Sequence, residues 1–195
     1  MTDRIAVIVS ESLELKRRFF DKHSDDIQRA ASMIADGFGT NGKLLIFGNG
    51  GSAADAQHIA GELVNRFLQE RRGLPAIALT TDGGALTCIA NDTGFENVFA
   101  RQIEALGTEG DVCLAISTSG TSSNVVRACE QARKQGIKVI GLLGRDGGQV
   151  GALCDLALIV PSNDTQRIQE THNLIGHILC ELIESEVFPL QNPER

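Results

Sequence analysis

The sequence predicts an α/β fold, a single domain built on a doubly wound, five-stranded parallel sheet with helices on both faces. Three observations lead there. Five short runs rich in Val, Ile and Leu recur along the chain, at 43–48, 75–80, 111–117, 138–144 and 156–161. They scarcely alternate apolar with polar residues, which is how strands buried on both faces read. Helical stretches lie between them, and strand–helix alternation of this kind winds a parallel sheet.

The elements follow in order. Residues 3–38 read as two helices broken near "DKHSDD", where Ser24 can cap and Asp25 and Asp26 suit a positive helix start. This N-terminal helical pair, 1–42, precedes every strand and cannot be a crossover. It is expected to pack on a sheet face or against another subunit, while 43–195 forms the sheet domain. "KLLIFG" is the first strand, followed by the turn "GNGGS" and a helix over Ser52–Phe67. "PAIALT" is the second, and a helix over Glu96–Leu106 leads to the third, "DVCLAIS". "STSGTSS" then runs into a helix over Ser122–Gln135, and "KVIGLLG" and "LALIVP" complete the sheet. The last helix, Thr165–Val187, carries apolar residues at 168, 174, 175, 178, 179, 182 and 183, a helical stripe. In the flavodoxin-like strand order 2-1-3-4-5, strands 1 and 3 are neighbours whose connections leave on opposite faces. Loops 48–52 and 117–123 then face each other at the crevice where open α/β sheets hold ligands.

Composition narrows the function. The chain has 195 residues, a formal charge of −7, no Trp or Tyr, and no run of Lys or Arg longer than three. A nucleic-acid partner would need a basic footprint, so none is expected. The five cysteines are scattered without a C-x-x-C pair, as expected of reduced thiols in a cytoplasmic protein. Near the start, "IAVIV" is five residues long, too short for a signal sequence or a membrane span.

The loop at 117–123 places six hydroxyl residues, Ser117, Thr118, Ser119, Thr121, Ser122 and Ser123, around Gly120 at a helix start. Free amides and the positive dipole end draw an anion there, and hydroxyls add directed donors. A helix cap alone would need only one hydroxyl, so a phosphate cradle is the better reading. The loop at 48–52 is more ambiguous. Gly48-x-Gly50-x-x-Ala53 matches the dinucleotide pattern, with Asp82 a distant candidate for its acidic partner. It also fits a plain tight turn with a Ser52 cap. No Lys-Ser/Thr follows the glycines, which excludes a P-loop.

His58 and Glu62 share one face of the following helix, one turn apart. In isolation such a pair is most often a solvated surface feature. The last helix adds Gln169, His172 and His177 in an apolar setting. Gln169 and His177 can flank one cavity, whereas His172 reads as a polar residue hydrogen-bonded in the core or at an interface. A set of His58, Glu62, Gln169 and His177 suits Zn²⁺ or another borderline divalent ion. Without metal, Glu62 and His177 could still serve as base and acid.

"GNGGSAADAQHIAGEL", "IANDTGF", "ISTSGTSSNV" and "RIQETHNLIGHIL" together resemble the phosphoheptose isomerases of the sugar isomerase (SIS) fold, over about residues 43 to 186. The resemblance implies conversion of sedoheptulose 7-phosphate to glycero-manno-heptose 7-phosphate, the first step towards ADP- and GDP-heptose. It implies that Ser117, Thr118, Ser119 and Ser122 hold the phosphate. Asn49, Gly50, Gly51, Asn91 and Asp92 would line the sugar. His58, Glu62, Gln169 and His177 would hold zinc, with Glu62 and His177 also moving protons. It further implies a homotetramer with active sites between subunits. Two other readings predict different properties. A non-catalytic SIS protein that binds a sugar phosphate or a replication initiator would lack the Glu and His equivalents present here. A Rossmann-type enzyme would bind NAD and ignore sugar phosphates.

Overall fold

A computed structural model describes residues 3–189. The apolar runs become β1 (Leu44–Gly48), β2 (Ala76–Ala78), β3 (Val112–Ser117), β4 (Lys138–Gly144) and β5 (Leu156–Val160), all parallel, in the order β2-β1-β3-β4-β5. The predicted fold class and strand order both hold. The three central strands are buried along almost their whole length, while the edge strands β2 and β5 alternate. That contrast explains why the central runs showed no alternation in the sequence.

Each strand feeds two cores. Leu44 and Ile46, Leu114 and Ile116, and Ile140 and Leu142 point to one face, covered by α1 (Arg4–Gly39), α2 (Gly51–Val64) and α7 (Thr165–Val187). Leu45 and Phe47, Cys113 and Ala115, and Val139 and Leu143 point to the other. That face carries α4 (Ala100–Leu106), α5 (Ser123–Lys134) and the one-turn α6 (Gly148–Gly151). Asp164 begins α7 by accepting the Gln166 amide at 3.0 Å, an N-cap that sets the helix start.

Three expectations need correction. The N-terminal segment is one continuous 36-residue helix, not a pair. Ser24 does not cap; its hydroxyl bonds back to the Phe20 carbonyl at 2.6 Å. The buried stripe Leu15, Phe19, Ile27, Ile34 and Phe38 runs unbroken past it, with His23 stacked on Phe19, and overrides the local cap signal. The segment predicted as a helix at 96–106 is a 3-10 turn, Phe95–Asn97, followed by the shorter α4. A helix not foreseen, α3 (Gly83–Thr93), precedes it, and Asp82 is its N-cap, accepting the Ala85 amide at 2.9 Å. Asp82 thus starts a helix rather than closing β2, which ends at Ala78.

Candidate active site

The two loops meet at the crevice between β1 and β3. After β1 the chain turns at Gly50, whose φ of +57° is left-handed and favours glycine. Asn49 and Asn124, near the start of α5, exchange two amide hydrogen bonds of 2.8 Å. They tie together helices that cover opposite faces of the sheet.

In the hydroxyl loop Gly120 stands at φ +66°, and a Cβ there would collide with the Gly147 carbonyl. Ser117 Oγ accepts the Gly120 amide at 3.1 Å, and Ser119 Oγ accepts the Thr121 amide at 3.2 Å. Ser122 is the N-cap residue of α5, yet its side chain makes no capping bond. Its hydroxyl and the first amides of α5 are left to an outside acceptor, and the helix dipole favours an anion there. Ser119 and Thr121 also open onto a cavity of about 570 Å³ that Arg145 and Ser162 help to line.

α2 and α7 start at the carboxyl edge of the sheet and run parallel along one seam. Glycines let them approach: a Cβ on Gly51 would meet the Gln169 amide, and one on Gly176 would lie 3.0 Å from Ile59. Further down the seam His58 Nε2 stands 3.2 Å from Glu62 Oε1 and 3.3 Å from His177 Nε2. Donor atoms of all three lie within 4.8 Å of one another. Two ligand atoms on a tetrahedral ion with bonds of ~2.0–2.1 Å stand about 3.3 Å apart. The triad therefore has the spacing and donor types to hold a divalent ion. The Phe67 ring stacks on His177 at 5.8 Å, and the other side is open, with His58 and Glu62 side chains 40% and 30% exposed.

Asp55 and Asn173 line the same small cavity, and Asn173 Nδ2 lies 3.5 Å from His58 Nδ1. Burial pushes the Asp55 carboxyl up, while Asn173 and His58 pull it back. Gln169 sits two turns before His177, about 12 Å along α7, and packs on Gly51; it makes no hydrogen bond to the triad among the described residues. Asn91 and Asp92 lie exposed on α3, with Asn91 donating to Asp92 at 2.8 Å. His172 faces the other way, fully buried, its Nε2 donating to the Leu143 carbonyl at 3.0 Å. Burial drives its pKa down to about 4, so it is neutral, as a core residue should be.

Sequence reasoning missed Asn124, Asp55, Asn173 and Phe67. Asp55 shares the helical stripe of His58 and Glu62, and Asn173 falls one turn from both Gln169 and His177, so their spacing carried a usable signal. Asn124 and Phe67 offered none, because each acts through a partner distant in sequence, Asn49 and His177 respectively.

Comparisons with known proteins point to one family. An SIS domain matches residues 9–144. The phosphoheptose isomerase of Nitratiruptor sp. is 55% identical over 180 residues, covering 91% of this chain and 96% of that one. The solved phosphoheptose isomerase of Neisseria gonorrhoeae is 44% identical with a TM-score of 0.89, covering 94% of this chain and 98% of that one. That of Francisella tularensis is 40% identical with a TM-score of 0.91, covering 95% of this chain and all of that one (100%). With the fold, both loops and the helix-seam triad in place, the chain belongs to the SIS-domain proteins and, among them, to the phosphoheptose isomerase family.

Proposed function

We propose that this enzyme interconverts D-sedoheptulose 7-phosphate and D-glycero-D-manno-heptose 7-phosphate, the first step towards ADP- and GDP-heptose. The observation that carries the reading is the meeting of Glu62 and His177, a carboxylate and an imidazole brought by two helices to one solvent-facing cluster. The names of the relatives give a phosphoheptose, and the family resemblance gives sedoheptulose 7-phosphate as the ketose. Glu62 takes a proton from C1 of the ketose to form an enediol and returns it to C2. His177 takes the O1 proton and delivers one to O2 as the carbonyl moves from C2 to C1. No net oxidation occurs, and every proton removed is returned. Ser117, Thr118, Ser119 and Ser122 hold the phosphate, and Asn49, Gly50, Gly51, Asn91 and Asp92 line the sugar.

His58, Glu62 and His177 would hold zinc; the family resemblance implies Gln169 as a fourth ligand, but within this chain its side chain packs on Gly51, about 12 Å along α7 from His177, and does not join the triad. When bound, the ion would polarise an oxygen of the reacting carbons. Asn173, 3.5 Å from His58 Nδ1, would orient that ring.

The reading includes a homotetramer in the cytoplasm with sites between subunits. Glu62 lies about 16 Å along α2 from Gly51, away from the hydroxyl loop, so a loop and a triad from different subunits would complete one site more readily. α1 leaves Ile5, Val9 and Leu13 exposed on one stripe, and α3 has no buried residue. Both are surfaces another subunit could cover. Among the described residues no helix is long and apolar enough to cross a membrane, and the cysteines are free thiols. Incubation with sedoheptulose 7-phosphate should yield the aldose phosphate. A folded protein that gives no turnover, with or without added zinc, would overturn the reading.

A further inference from the structure

The most shielded ion pair among the described residues joins Arg71, in the segment between α2 and β2, to Glu184 on α7; their side chains are 2% and 1% exposed. The Glu184 carboxylate accepts the amides of Phe67, Leu68 and Gln69 at 3.1, 2.8 and 2.7 Å, and Arg71 Nε at 2.7 Å. The rest of the guanidinium turns back to the end of α2. Its Nη2 donates to the Glu62 carbonyl at 3.0 Å, and its Nη1 to those of Leu63 and Asn65 at 2.8 and 3.2 Å. They lie at a helix end, where carbonyls lack intrahelical partners, and that of Leu63 also accepts the Leu74 amide at 3.0 Å.

The pair touches neither reacting group directly, yet it grips both. It reaches Glu62 through that residue's own backbone. It reaches His177 by two routes: through α7, since Glu184 follows two turns later, and through Phe67, whose amide Glu184 holds and whose ring stacks on the imidazole. Apolar residues of equal volume commonly stabilise a fold as well as a buried ion pair does. What a guanidinium with five donors adds is one fixed arrangement of the groups around it.

We propose that Arg71 and Glu184 are positioning residues that set the distance and angle between Glu62 and His177. The inference rests on the reading of those two as the proton-moving pair. Glu184→Gln keeps the shape but removes the charge, while Arg71→Lys keeps the charge but cannot span the carbonyls and the carboxylate together. Each is to be tested by thermal melting, by kcat and KM for sedoheptulose 7-phosphate, and by the histidine ring resonances of the metal-free protein. The expected result is a folded variant whose kcat falls by about 10- to 100-fold, the range typical of lost orienting partners. KM should stay near that of the unaltered protein, and the His58 and His177 resonances should move. A folded variant with unchanged kcat and unchanged resonances would overturn the proposal. So would failure of both variants to fold, which would make the pair a stability element only. If the unaltered protein shows no isomerase activity the functional reading fails, and the resonances alone then decide whether the pair positions the cluster.

Discussion

Replacing His172 by Gln should flatten the dependence of stability on pH between neutrality and pH 4. The buried ring donates to the Leu143 carbonyl through Nε2 and leaves Nδ1 without a partner. Burial lowers its pKa from 6.5 to about 4. In the unfolded chain the imidazole charges at its ordinary value, so between those limits the unfolded state binds the extra proton. Stability must therefore fall as pH falls through this window. With these two pKa values the loss attributable to His172 is negligible at pH 7.5, about 2 kcal/mol at pH 5 and about 3 kcal/mol at pH 4. Gln can still donate an amide proton to Leu143 but does not titrate in this range. Urea unfolding of both proteins at a fixed concentration, at pH 7.5, 6, 5 and 4, gives two stability curves. Their difference should close by the amounts stated. Parallel curves over the window would show that His172 is not held neutral by burial, and the argument from its surroundings would fail.

Glu62→Gln should abolish turnover while leaving phosphate-dependent binding largely intact; kinetics alongside calorimetric titration with a sugar phosphate would check this, and an active variant would remove Glu62 as the base. Ser119→Ala should mainly raise KM, by the equivalent of about 1.5–3 kcal/mol if its hydroxyl meets the phosphate charge, and an unchanged KM would remove it from the cradle. Gly120→Ala should damage the hydroxyl loop twice over, since φ is +66° there and the new Cβ meets the Gly147 carbonyl. Its melting temperature and KM should both worsen, and an unaffected variant would mean that the loop is far more yielding than its packing suggests.

How far the sequence could be read depended on where each signal lies. Strands and their order were legible because the central runs are buried on both faces and their loops are chemically distinctive. The single helix α1 was misread because Ser24 and two aspartates make a plausible local start, while the evidence for continuity is an apolar stripe that matters only once α7 is packed on it. α3 escaped notice for the opposite reason. It opens with two glycines and buries no residue, so it has little apolar periodicity to detect. His58 and Glu62 were visible as a spaced pair, but their connection to His177 rested on the chemistry of the residue types and on resemblance until the helices were seen side by side. Arg71 and Glu184 stand 113 residues apart, and nothing local marks either one.

The partnership of α1 and α7 also bears on how the chain is made. The two helices run alongside each other, joined by Ser12 to Glu170, Arg167 to the Ile8 carbonyl, and Ser32 to Glu186. α1 is synthesised before any strand and α7 after all of them. While the sheet emerges from the ribosome, the stripe of Leu15, Phe19 and Ile27 on α1 can meet the strands but stays incompletely covered until α7 arrives, and α2 waits likewise for its seam. The nascent chain therefore carries sticky surface until α7 is released. Folding speed and chaperone dependence should accordingly be governed by the docking of α7, the step that also assembles His177 against Glu62.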